Sequence, residues 1–153
     1  MAEIRAGDVI DARWWPDSVR VVENTDQLNQ TSTTAIAGTP ECSTTFVAPD
    51  SGRVMVQVAA ELRNDDTAGN RIFVTFEIRL GSSAGAVHTA AVVHRGVSTT
   101  GDTTASQFMT HGNMSMVDGL TPRATYFIRT MQLVSGGTTN DIGHRKLCVI
   151  PVP

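Results

Sequence analysis

From Arg53 to Leu62 the chain places an apolar side chain at every second position: Val54, Val56, Val58, Ala60 and Leu62 alternate with Arg53, Met55, Gln57, Ala59 and Glu61. A period of two is that of a β-strand with one face on a core and the other mostly in water. Arg71–Leu80 repeats the pattern, with Ile72, Val74, Phe76, Ile78 and Leu80 against Arg71, Phe73, Thr75, Glu77 and Arg79. Between the two runs lies Asn64-Asp65-Asp66-Thr67-Ala68-Gly69-Asn70, built from residues whose side chains bond nearby backbone or, for Gly, tolerate positive φ. The two runs therefore read as a central hairpin, and the chain as an antiparallel β protein.

Turn signals punctuate the rest at the spacing of a sandwich or jelly roll of eight or nine strands. Ser18–Glu23 reads as a first strand, followed by a Thr-rich polar stretch over 25–34 and a strand over Cys42–Val47. Ala48-Pro49-Asp50-Ser51-Gly52 is a turn in which Pro fixes φ and Gly frees it. Gly81–Gly85 is a loop, Val87–His94 a strand, and 96–104 an exposed loop. Gln107–Val117 is a strand, 118–122 a turn, Ala124–Val134 a long strand, 135–139 a loop, and Lys146–Val152 the closing strand.

A chain of 153 residues buries roughly two thirds of its unfolded surface, enough for one domain without staples. Charged residues make up 18% and the formal net charge is −3, so no basic field attracts nucleic acid or an anionic membrane. Lys occurs once, at Lys146, while Thr and Ser are abundant, as suits strands with hydroxyl-bearing outer faces. Met1–Arg5 has no apolar core of a secretion signal and no stretch is long enough to span a bilayer, so synthesis in the cytoplasm without membrane insertion is expected.

The first stretch stands apart. Residues 1–17 hold both tryptophans of the chain, Trp14 and Trp15, next to Pro16. Paired aromatics on an arm suit docking to a partner; the other reading is that they cap one end of the core. The domain organisation is then an arm over 1–17 and a β-sandwich over 18–153. A second apolar surface lies on the late strand, where Tyr126 and Ile128 point one way and Phe127, Met131 and Leu133 the other. A strand apolar on both faces needs cover on both, from a loop or from another copy of the chain; Trp14, Trp15, Phe127, Met131 and Leu133 are the expected docking residues, in a homo-oligomer.

Motifs for chemistry are absent. His88, His94, His111 and His144 lie on separate segments without metal-ligand spacing. Asn64, Asp65, Asp66 and Asn70 offer oxygens of the kind calcium uses, in no EF-hand spacing. Carboxylates such as Asp8, Asp11, Glu61 and Glu77 show no pairing for glycoside hydrolysis, and no GxSxG marks a serine nucleophile. Cys42 and Cys148 either pair across the sandwich or are two buried thiols. Asn29-Gln30-Thr31 and Asn113-Met114-Ser115 match the glycosylation triplet, meaningful only in an exported chain. No catalytic residue, metal or cofactor is expected.

Thr45–Val56, the strand Phe76-Glu77-Ile78-Arg79 and the tail Gly143-His144-Arg145-Lys146-Leu147, with Gly7-Asp8-Val9-Ile10 in the arm, resemble the β-sandwich domain of minor tail or fibre-type proteins of actinobacterial bacteriophages. The resemblance covers most of the chain through structural motifs. It implies a virion component, often trimeric, fixed to the tail tip or another virion surface and touching the host envelope. A narrower likeness runs over Val117–Tyr126, similar to the fibronectin type III corner in which a Leu-x-Pro turn leads to a Tyr whose hydroxyl ties back to the backbone. The chain is too long for that module and lacks its core Trp, so the likeness implies the same corner and not the same family.

The sequence thus predicts an all-β, jelly-roll-type antiparallel sandwich with an N-terminal arm, acting in a phage tail assembled in the host cytoplasm. Its expected partners are copies of itself, as a homotrimer, other virion proteins and a host cell-surface glycan. One alternative, a capsid decoration protein, keeps the same physics with a different docking surface; a rival of another class is a non-viral carbohydrate-binding module, against which the scarcity of aromatics counts, with one Tyr and five Phe.

Overall fold

In a computed structural model, residues 16–64, 69–100, 107–137 and 140–153 are described. Among them the chain forms eleven strands: β1 (Val19–Glu23), β2 (Gln27–Gln30), β3 (Ile36–Ala37), β4 (Ser43–Val47), β5 (Arg53–Asn64), β6 (Arg71–Leu80), β7 (Val87–Thr89), β8 (Val97–Thr100), β9 (Met109–Val117), β10 (Thr125–Val134) and β11 (Asn140–Val152). They make two antiparallel sheets. The first runs β1–β11–β5–β9, with β2 continuing β1 alongside β11; the second runs β3–β10–β6–β7, with β4 also on β10 and β8 also on β6.

Taking β1/β2, β3/β4 and β7/β8 each as one position leaves eight positions. The first pairs with the last, the second with the seventh, the third with the sixth and the fourth with the fifth. That is an eight-strand ribbon folded back on itself and wrapped, the double Greek key of a jelly roll.

The core follows the alternation. Val54, Val56, Val58, Ala60 and Leu62 of β5 face Ile72, Val74, Phe76 and Ile78 of β6 across the interior, joined by Ile128 and Tyr126 from β10 and Leu147 and Val149 from β11, all buried. Leu80 departs from the expectation: it lies at the strand end and is exposed.

Five further readings need correction. β5 and β6 are not a hairpin, because β5 pairs with β9 and β11 whereas β6 pairs with β10, β7 and β8. Both carry one wholly apolar face, and these two faces cover each other best from opposite sheets. The strand over 87–94 stops at Thr89, and a 3-10 turn follows at Val93–Arg95. Part of the expected loop 96–104 is instead β8, paired with the start of β6 from Val97↔Val74 to Thr100↔Arg71. The last strand begins at Asn140 and not Lys146, and the polar stretch 25–34 contributes β2.

A bulge explains why β11 hid its first half. Its register against β5 slips between Ile142 and Arg145, so Ile142, Arg145, Leu147 and Val149 all reach the buried side. The one extra residue resets the phase, and Arg145 goes inward where simple alternation would keep it out.

Candidate interaction surfaces

Trp14 and Trp15 lie outside the described residues, as do Asp65 and Asp66 of the expected oxygen cluster and parts of the polar segments 64–70, 96–104 and 135–141. On β10 the expected second face is real but unevenly covered. Phe127 and Leu133 are half-buried, while Met131 is 6% exposed within a single chain.

Charge occupies the middle of that face. Glu77 on β6 sits directly across from Arg129 on β10. Its carboxylate accepts hydrogen bonds from Arg129 Nε at 3.0 Å and from Arg79 Nε and Nη2 at 2.8 and 2.9 Å. Arg129 Nη1 also donates to Glu41 Oε1 at 2.9 Å, and Arg79 Nη1 to the Gly85 carbonyl at 3.1 Å. Burial alone would raise the Glu77 carboxyl, but the hydrogen bonds from Arg79 and Arg129 outweigh it and hold it below the usual carboxylate range. A depressed folded-state value means that this contribution is present above the unfolded value and is lost as pH falls through the folded one. Glu77→Gln should therefore destabilise at neutral pH by on the order of 1–2 kcal/mol and flatten the acid limb of the stability curve below about pH 4.3; urea titrations from pH 3 to 7 read both.

The corner before β10 is built as the sequence implies. The Thr121 N–H donates to the Tyr126 hydroxyl at 2.9 Å, and Tyr126 is buried. Its ring stacks on Phe46 at 5.8 Å and meets the edge of His88 at 5.5 Å, while His88 Nε2 lies 3.2 Å from the Gly119 carbonyl. Tyr126→Phe removes the acceptor of the part-buried Thr121 N–H and should lower stability by about 1 kcal/mol; an unchanged melting temperature would remove the corner's role.

One end of the interior is polar, which sequence reasoning missed. Gln132 Nε2 donates to Gln27 Oε1 and Gln30 Oε1 at 2.6 and 2.7 Å. Asn140 Nδ2 donates to the carbonyls of Gln30 and Gly136 at 3.2 and 3.1 Å. On the outward face next to this end, Asp141 accepts from the Asn29 N–H at 2.7 Å and from Arg63 Nε at 2.9 Å. Beside the glutamines Arg145 is fully buried, and its three guanidinium nitrogens have no hydrogen-bond partner among the described residues. Burial pushes its guanidinium below the ordinary range, with Cys42 and Glu23 opposing the shift. Gly38 packs so closely that a side chain there would collide with Arg145 Nη1 and Gln27. The only sequence signal for this region was a run of amides with no apolar periodicity.

The remaining candidates stay apart. Cys42 and Cys148 are both free thiols, the first buried and the second half-buried on the outward side of β11. Burial pushes the Cys42 thiol up. Asn113 turns its side chain to the Gly96 carbonyl at 3.0 Å. Among the described residues no three His, Cys, Asp or Glu side chains gather closely enough to hold a metal ion.

No protein-family model matches the chain, and no curated protein matches it. Its likeness is to solved structures. Against VP2 of infectious bursal disease virus, crystallised as a subviral particle, the TM-score is 0.52 with 12% identity, over 89% of this chain and 33% of that one. The structure of the Gt strain of the same virus gives 0.49 and 12%, over 89% and 32%. A family 35 carbohydrate-binding module from Clostridium thermocellum gives 0.35 and 11%, over 86% and 97%. The chain spans about a third of the length of the viral chains it matches, and the likeness to VP2 is one of fold: a jelly-roll sandwich.

Proposed function

We propose that this chain is a structural component of a virus particle, placed in a bacteriophage tail, with a mechanical and adhesive role. The observation that supports the reading is the jelly-roll sandwich itself, shared over most of the chain with a protein that forms a viral particle. In this reading the arm over residues 1–17 docks to another virion protein through Trp14 and Trp15. Copies of the chain meet as a trimer through the exposed parts of Phe127 and Leu133, with Met131 already covered within each copy. The polar segments 64–70, 96–104 and 135–141 then offer weak contacts to a host-surface glycan that many copies strengthen together.

The test is a gold-conjugated antibody against this chain, applied to purified particles of the phage that encodes it and imaged by electron microscopy. Label at the tail is the expected result. Label over the head shell would replace the tail placement with decoration of the capsid, and unlabelled particles would overturn a virion role.

A further inference from the structure

Among the described residues each sheet of the sandwich has two edges, and three of the four are interrupted. The β1/β2 edge breaks at Asn24–Asp26 and carries Arg20 and Glu23. The β3/β4 edge breaks around Gly38-Thr39-Pro40, where Pro lacks a donor. The β7/β8 edge consists of two short pieces separated by the 3-10 turn, with a register shift at Arg79. Short, broken and charged edges are how sheets avoid pairing with other chains.

β9 has none of these devices. It runs nine residues without a break, in unbroken register with β5 from Met116↔Met55 through Thr110↔Glu61. Its sequence, Met-Thr-His-Gly-Asn-Met-Ser-Met-Val, contains no Lys, Arg, Asp, Glu or Pro. Met109, Met114 and Met116 are exposed. The Met114 N–H is directed away from β5 and is met by the Asn113 side-chain oxygen at 2.9 Å. Strand alternation sends the N–H and C=O groups of Thr110, Gly112 and Met116 to the same open side.

We infer that β9 is a pairing edge for a second copy of this chain, joining two sandwiches through an antiparallel β9–β9 ladder about a two-fold axis. The strand is self-complementary in one register. Centred on Asn113, Gly112 of each copy lies opposite Met114 of the other, and Thr110 opposite Met116, so all four are residues whose backbone groups face outward. The missing side chain at Gly112 leaves room for the methionine: a Cβ there would meet nothing nearer than 3.9 Å. An uncharged strand also brings no like charges together across the axis. This contact is separate from the Phe127–Leu133 surface, and it stands whether or not the chain belongs to a virion.

Analytical ultracentrifugation of the full chain from about 1 to 100 µM tests it, alongside Gly112→Lys and Met114→Lys. Position 112 has space for a side chain in the isolated subunit, so the variant should keep the wild-type melting temperature at low concentration. Two introduced ammonium groups across the axis should weaken association by at least about tenfold, leaving mostly monomer where the wild type is dimeric. Hydrogen exchange at Gly112 and Met116 should slow with concentration in the wild type alone. A wild-type chain that stays monomeric to 100 µM, or an oligomer that persists unchanged in both variants, overturns the inference.

Discussion

Phe76→Ala is expected to lower the free energy of unfolding by about 3–5 kcal/mol, a large part of the roughly 5–15 kcal/mol that holds a domain of this kind together. Phe76 is fully buried in the middle of β6, at the centre of the layer where β5 and β6 face each other from opposite sheets. Deleting its ring removes transfer free energy and leaves a void that two hydrogen-bonded sheets close only in part. Phe73 on the same strand, outward and half-buried, is the internal control: Phe73→Ala should cost much less. Urea titration reads both, and comparable losses would show that β6 does not separate an inside from an outside at these positions.

Gly52→Ala is expected to cost roughly 2–5 kcal/mol, combining the strain of a side chain at positive φ with a steric clash. Gly52 has φ of 64°, and a Cβ there would collide with the Leu120 carbonyl oxygen. The residue ties two turns together. Its N–H donates to the Pro49 carbonyl at 2.9 Å, and its own carbonyl accepts from the Leu120 N–H at 3.0 Å. The β4–β5 and β9–β10 turns are thereby locked at the end of the sandwich that also holds the Tyr126 corner. Gly119→Ala supplies the comparison, since Gly119 shares positive φ but has open space around it. It should show the strain alone, about 1–2 kcal/mol. Equal melting temperatures for the two variants would argue against the locked turns.

Much of this fold was legible because a strand with one buried face writes a period of two into the sequence. β6 came out with its observed ends, and β1, β4, β9 and β10 within two residues of theirs. Pairing was not legible. The Asn64–Asn70 segment looks like the tip of a hairpin, yet the chain crosses from one sheet to the other there, and nothing local distinguishes a turn that reverses within a sheet from one that changes sheets. β8 was read as a loop because Val97-Ser98-Thr99-Thr100 is short and mostly hydroxyl-bearing, and its pairing on β6 supplies what the pattern lacks. The first half of β11 was hidden by the bulge at Gly143–His144, which shifts the phase mid-strand.

The surfaces were legible to a smaller degree. The apolar second face of β10 followed from alternation, but the Glu77 network that divides it did not, because Arg79, Arg129 and Glu41 come from different strands and segments and meet only in the folded chain. Arg145 was hidden for the same reason and by the bulge. The open edge of β9 depends on where that strand sits in its sheet, which composition does not report.

The wrapped order of the two sheets is the claim on which the core, the corner and the open edge all rest. Interstrand nuclear Overhauser contacts on isotope-labelled protein test it directly. Backbone contacts are expected across Val21↔Leu147, Thr44↔Ile128 and Val56↔Ser115, pairs far apart in sequence. A ladder running instead between 54–62 and 72–80, as for a simple hairpin, would contradict it.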